Sequence, residues 1–443
     1  MSDYMFMLEN HLTPDQNRVL VEVESAAAVA GVNLFLSGGA VRDMIGGFPI
    51  RDLDFTVEGP AVKIAKAIAH RTKGDVVATD EHRKRAELRF PGGVTAEIAM
   101  ARQERYGKPG AKPQITPATI HEDLRGRDFT VNSLALSLNR ASRGLLLDPT
   151  NGLADLERRE LRAVGNYTFY DDPIRLLRLI RFRVRLGFEI AERTRSQYEN
   201  ARAAEVDKYI SPEAFYHELM NIAAEPNPGD ILQALEQEKL LQLIAPFLAG
   251  PKLNLPGFAK LLKARQLLPF GVDVHLDSAA LFFYLLNEKI TVKERTQLAR
   301  AIAMPRADAE RWQKLEPRAK KLEKELKAAG LQKPSALYHV LAKAPGEQVL
   351  FLLVKSTERL VLDRIRNYYQ KYLPAALEVT ERDVIAAGGQ PGTLKFQKIR
   401  DHLIVTRLDA RPKKAPAPPE EPPAPPSPAA PARGGQPIAR KHA

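Results

Sequence analysis

The stretch GVNLFLSGGAVRDMIGGFPIRDLDFTV, residues 31–57, decides how the rest of the chain is read. Gly31 to Ser37 is an apolar run ending at a glycine pair, the pattern of a buried strand entering a tight turn. Val41 to Ile45 reads as a short helix stopped by Gly46 and Gly47. Asp52 to Val57 alternates Asp or Thr with Leu, Phe or Val, which predicts a half-buried strand. Strand side chains alternate between faces, so Asp52 and Asp54 share one side while Leu53 and Phe55 anchor the strand in a core. Two carboxylates converging on one face suit Mg²⁺, which prefers oxygen ligands and takes few protein contacts. Glu97 alternates with Ala96 and Ile98 on another predicted strand and offers a third acid. Gly38 and Gly39 let backbone N–H groups approach phosphate oxygens ahead of a helix N-terminus, and Arg42 adds a full charge there. A solvated strand face and a plain strand–turn–helix joint would give the same local pattern, so the wider chain must decide.

Outward from this stretch, an amphipathic helix is predicted at Val62–Thr72, with strands at Asp75–Thr79, Ala86–Phe90 and Val94–Ala99. One small mixed sheet with flanking helices would hold them all. After Asp171 strand signals nearly vanish. Helices are predicted at Pro173–Leu186, Pro212–Ala224, Gly229–Leu248, Phe258–Leu268, Leu276–Glu288, Val292–Ile302, Ala307–Ala329, Pro334–Ala342, Gly346–Lys355 and Glu358–Tyr372. The fold class is α+β: a head over residues 1–147, a helical neck over 148–250, and a helical body and tail over 251–410. Residues 411–443 hold 11 of the 33 prolines and cannot bury a core, so they read as a disordered, mildly basic extension.

The chain has 443 residues, 44% hydrophobic and 27% charged, enough for several packed domains. Its net charge of +12 points to a polyanionic partner. The absence of cysteine excludes disulfides and thiolate metal sites and suits a reducing cytoplasm. The first residues, MSDYMFMLENHL, do not read as a signal peptide. No apolar run approaches the ~18 residues that span a bilayer; Ala279 to Leu286 is the nearest, so no membrane partner is expected.

A second informative segment is DDPIRLLRLIRF, residues 171–182. Asp followed by Pro predicts a helix start, with Asp172 as cap and Pro173 as first residue. Arg175, Arg178 and Arg181 recur every third residue and form a slanting ridge, while Leu176, Leu177, Ile180 and Val184 fill the rest. Three arginines cannot be buried without anions, so the ridge must meet solvent, acids or phosphates. Arg127 and Asp128, beside Phe129, read bottom-up as a buried ion pair.

Taken together these motifs carry a resemblance. GGAVRD at 38–43, followed by Asp52-Leu53-Asp54, resembles the head motif of bacterial CCA-adding enzymes and poly(A) polymerases, the class II branch of the polymerase-β nucleotidyltransferase superfamily. DLRGRDFTVNS at 123–133 resembles that family's second motif, with Gly126 where an Arg is usual and Ser133 in place of Ala. DPTNGLADL at 148–156 resembles its hinge, and residues 171–182 resemble its protein-template motif, with Asp171 in place of Glu. The resemblance implies that Arg127 and Asp128 handle the sugar and phosphates of the incoming nucleotide. It implies that Asp172 and Arg175 read the Watson–Crick edge of CTP or ATP, and that Arg178 and Arg181 support the triphosphate. Cytosine and adenine each present an amino donor beside an acceptor, which a carboxylate and a guanidinium can match. The implied activity is CCA addition to the tRNA 3′ end with two Mg²⁺ ions and pyrophosphate release. A charged loop between Thr79 and Ala86 sits where relatives switch from C to A. Poly(A), CC-only and A-only addition stay open within the family. Outside it stand a non-catalytic tRNA-binding protein and a transferase acting on a small molecule. His275 and Asp277 read as surface residues, with no phosphohydrolase-type metal pair.

Overall fold

The structure, a computed structural model, describes residues 3–267 and 279–410. Two helices lead in, α1 (Asp3–His11) and α2 (Pro14–Ala30); the second starts at a Thr13 capping box and stops at Gly31, whose φ of 65° suits glycine. The head then alternates strand and helix: β1 (Leu34–Ser37), α3 (Gly39–Ile45), β2 (Leu53–Val57), α4 (Ala61–Thr72), β3 (Asp75–Asp80), β4 (Arg85–Arg89) and β5 (Thr95–Met100). A separate two-stranded hairpin follows, β6 (Arg102–Arg105) with β7 (Gln114–Pro117). It is followed by α5 (Ile120–Arg125), β8 (Ala135–Ser137) and β9 (Leu146–Leu147).

The main sheet runs β3-β4-β5-β2-β1-β8-β9. β2 lies parallel to β5 and antiparallel to β1, so the sheet is mixed, as the sequence predicts. β2 alternates as expected: Leu53 and Phe55 are buried in a core with Leu36, Val41 and Ile98. One boundary moves. β2 begins at Leu53, and Asp52 lies in the bend before it.

From α6 (Gly152–Arg158) onward the chain is almost wholly helical. α7 (Thr168–Asp171), α8 (Arg175–Leu186), α9 (Glu192–Ala203), α10 (Pro212–Ala224) and α11 (Pro228–Gln237) share one continuous core with Phe129 and Val131 of the head. The helix predicted at Gly229–Leu248 ends early, because Lys239 adopts φ 58° and breaks the i→i−4 ladder. The one predicted at Ala307–Ala329 is two helices, Arg306–Gln313 and Leu315–Leu326. The chain divides into two compact units at Pro374 and Ala375; the second contains Glu381–Ala386 and Leu394–Asp409 as helices. Among the described residues no helix is long and apolar enough to cross a membrane. His275, Asp277 and the tail from 411 lie outside the described residues.

Candidate active site

A cavity of about 530 Å³ opens between the head sheet and the first neck helices. Ten arginines and nine Asp or Glu residues line it, so it suits a ligand that carries both signs of charge, as a metal-bound nucleotide does.

The acids come from two neighbouring strands. Asp54 on β2 is half-buried, and its register partner on the parallel strand β5 is Glu97, so both point to the same face. Asp52 is exposed, and the Thr95 hydroxyl donates to its Oδ1. Burial, then the charges of Glu97 and Asp52, push the Asp54 carboxyl up to about 7, while Arg127 and Arg42 offset part of this. Negative charge crowded in this way is what a divalent cation relieves. Glu97 is already committed to Arg85, with Oε2 at 2.7 Å from Nη1. Among the described residues no three His, Cys, Asp or Glu side chains gather closely enough to hold a metal alone. Glu97, expected as a third acid, stands beside Asp54 in the cavity and shares its carboxylate with Arg85. Asp52 and Asp54 fit Mg²⁺ in its usual mode, with one or two carboxylates and the rest of the shell from phosphates and water.

The glycine turn lies directly over these acids. A Cβ on Gly38 would sit 2.8 Å from Arg127 Nη1, and one on Gly39 would sit 3.1 Å from Asp54 Oδ2. Gly38 also needs φ 64°. The turn is therefore glycine for two reasons, backbone conformation and close approach.

The arginines divide into committed and available groups. Arg42 is buried: its Nε and Nη2 donate to Asp43 Oδ1 and its Nη1 to Asn132 Oδ1, with the guanidinium over the Phe182 ring at 5.1 Å. Its charge is paired with Asp43, while the guanidinium still borders the cavity beside Gly39. Arg127 donates to Asp123, Ser37 and Thr56, tying α5 to β1 and β2. The ion pair with Asp128 that the sequence suggests does not form; Arg127 pairs with Asp123, and Asp128 faces Arg178 at 3.1 Å. Arg181 is spent too, on Glu218 at 2.6 Å and Glu225 at 2.9 Å. The ridge of α8 thus meets acids, one of the three outcomes the sequence allows, and Arg181 ties helices together while also lining the cavity.

Arg175 and Arg178 differ. Each has a buried Nε with no hydrogen-bond partner. Arg175 donates only from Nη2, to the Gly126 carbonyl at 3.2 Å, and its Nε lies 3.9 Å from Asp172. Asp172 does not cap α8, which begins at Arg175 after a tight turn in which Arg175 N bonds Asp172 O. The following Pro173 keeps Asp172 extended, at φ −134° and ψ 93°, and the residue lines the cavity. The charged loop after β3 is tied to the β6–β7 hairpin, where His82 Nε2 donates to the Pro113 carbonyl at 2.8 Å.

Comparison with known proteins bears on the head and on the fold. Residues 34–162 match the poly(A) polymerase head domain. The likeness to that family is thus carried by the head, residues 34–162. It is 36% identical over 248 residues to the A-adding tRNA nucleotidyltransferase of Halalkalibacterium halodurans, covering 55% of this chain and 57% of that protein. It is 37% identical over 221 residues to the CC-adding tRNA nucleotidyltransferase of Deinococcus radiodurans, covering 50% of this chain and 58% of that one. The chain thus spans little more than half the length of these relatives. A solved CCA-adding enzyme in its apo form II superposes with a TM-score of 0.53 over 94% of this chain and 96% of that one; at 23% identity this likeness concerns the fold.

The acids Asp52 and Asp54, the glycine turn and Arg127 line one cavity with Asp172, Arg175 and Arg178. Glu218, Glu225, Arg185 and Arg51 also line the cavity, and sequence reasoning misses them. Nothing in their local pattern marks them, because their partners lie far along the chain, as with Arg185 and Asp43 at 2.6 Å.

Proposed function

We propose that the chain is an RNA nucleotidyltransferase that adds C and A to the 3′ end of tRNA from CTP and ATP, without a nucleic-acid template, releasing pyrophosphate. One observation carries the reading. The Asp52–Asp54 pair and the helix start bearing Asp172, Arg175 and Arg178 line a single cavity, so one nucleotide can meet both. Two divalent ions at Asp52 and Asp54 would activate the tRNA 3′-hydroxyl and balance charge on the leaving triphosphate. Asp172 accepts from the exocyclic amino group of cytosine or adenine, and Arg175 donates to the ring acceptor beside it. Guanine and uracil present the opposite pattern and leave buried groups unpaired, at roughly 1–3 kcal/mol each. Arg178, held by Asp128, supports the phosphates, and the Gly38–Gly39 backbone borders them. The net charge of +12 suits the RNA backbone.

A second reading is favoured by the names of the relatives: one adds A and another adds CC, so this chain can be one half of a divided activity. Incubating tRNA that lacks CCA with CTP, with ATP and with both distinguishes them. Full CCA addition gives two extra residues with CTP alone and three with both. An A-only enzyme extends only tRNA that already ends in CC. No extension of either RNA overturns both readings.

A further inference from the structure

Asp52 stands outside the sheet ladder, in a bend, so the hydrogen bonds of β2 do not fix its backbone. The residue immediately before it is fixed from the neck. Arg51 Nη2 meets Glu225 Oε2 at 2.6 Å, and its Nη1 donates to the Ala224 carbonyl at 3.2 Å, at the C-terminal end of α10. Glu225 is buried at 1% exposure. The same carboxylate holds α8, through Arg181 at 2.9 Å and Arg185 at 3.5 Å. Burial alone would raise the Glu225 carboxyl, but Arg51, Arg185 and Arg181 bring it below its ordinary value, so it stays charged. One carboxylate therefore touches both the helix that carries Arg175 and Arg178 and the residue that leads into Asp52.

We propose that Arg51 is a positioning residue: its latch onto Glu225 sets where the Asp52 carboxylate stands for a divalent cation. The neck then fixes the metal site as well as the base-reading side chains. The Thr95 hydroxyl holds the Asp52 carboxylate from the other side, so two attachments replace the missing ladder. A cation bound only through carboxylates and phosphates depends on such outer supports, and losing one costs about 10–100-fold in metal affinity or activity. The loss falls on metal binding and on kcat, while nucleotide binding without metal stays intact, because Arg51 does not belong to the Asp172–Arg175 pair.

The inference rests on the nucleotidyl-transfer reading, and its test separates the two. Arg51→Met and Arg51→Lys are made in the full chain. The Arg51 side chain is 33% exposed and Glu225 keeps two other arginines, so the fold tolerates both changes. Mn²⁺ binding is read from the loss of the free-ion electron paramagnetic resonance signal on adding protein, beyond the loss caused by the non-hydrolysable CTP analogue alone. Affinity for the analogue in EDTA and the melting temperature are measured alongside. Expected are Mn²⁺ binding weakened about tenfold in Arg51→Met, partial recovery in Arg51→Lys, and little change in analogue affinity or melting. Wild-type Mn²⁺ affinity in Arg51→Met overturns the inference alone. So does a fall in analogue affinity and melting matching the fall in Mn²⁺ affinity, which marks a merely structural role. If the wild-type chain binds no Mn²⁺ with the analogue, the transferase reading falls and this inference with it.

Discussion

Replacing Asp128 by Asn tests whether the buried charge network is what presents Arg178 to the cavity. Asp128 is 6% exposed; Oδ1 accepts from Phe129 N at 2.7 Å and Asn132 Nδ2 at 2.9 Å, while Oδ2 faces Arg178 at 3.1 Å. Burial alone would raise its carboxyl, but Arg178 and Arg175 with these hydrogen bonds bring it from 3.8 down to about 2. A depression of this size corresponds to about 2–3 kcal/mol of stability at neutral pH. The carboxyl binds its proton less readily folded than unfolded, so this contribution is complete well above the unfolded value near 4. It fades as pH falls through 4 toward 2, to roughly half near pH 3. Asn keeps the shape and one acceptor yet removes the nearer of Arg178's two carboxylates, leaving Glu218 at 3.8 Å from an Nε that has no hydrogen bond. Urea unfolding at pH 7 should place Asp128→Asn about 2–3 kcal/mol below wild type, with a gap that narrows at pH 3. The KM for CTP should rise as Arg178 loses its anchor. Equal stability at pH 7, or a gap undiminished at pH 3, refutes the reasoning.

Three further outcomes are expected. The double change Asp52→Ala with Asp54→Ala removes pyrophosphate release from CTP but leaves tRNA binding in a gel-shift assay intact; normal turnover contradicts the metal assignment. Asp172→Ala relaxes selection among the four nucleotides by about tenfold or more in primer extension, since the penalty for a mismatched base edge is lost; an unchanged C and A preference removes its base-reading role. Gly38→Ala forces an L-residue into φ 64° and a Cβ to 2.8 Å from Arg127 Nη1, costing about 1–3 kcal/mol of stability and lowering the addition rate. A wild-type melting temperature in that variant contradicts the account of the turn.

The head was largely legible because its signals are local. Alternation from Leu53 to Val57, the glycine pair after Ser37 and the stop at Gly46 each act within a few residues, and the strands and turn stand where they point. The neck was legible as helix but not as chemistry. Arg181 reads like Arg178 in sequence, three residues on along one ridge. Only the fold brings Glu218 and Glu225, 37 and 44 residues away, onto Arg181. Arg42 likewise gains a bond to Asn132, 90 residues on, that no local pattern marks. The β6–β7 hairpin carries too little apolar alternation to read as strands, and the break at Lys239 depends on a backbone conformation that lysine rarely adopts. The start of α8 was misplaced because Asp-Pro favours both a capped helix and an extended residue before proline, and the second preference prevailed.

The central claim is that carboxylates from the head and a helix start from the neck act on one nucleotide in one cavity. Crystals grown with Mn²⁺ and a non-hydrolysable CTP analogue test it most directly, by anomalous scattering. The account predicts a manganese peak within bonding distance of Asp52 and Asp54, with the triphosphate beside Gly38 and Gly39 and the cytosine edge against Asp172 and Arg175. A nucleotide bound with its base away from Asp172, or a metal held without either aspartate, would contradict it.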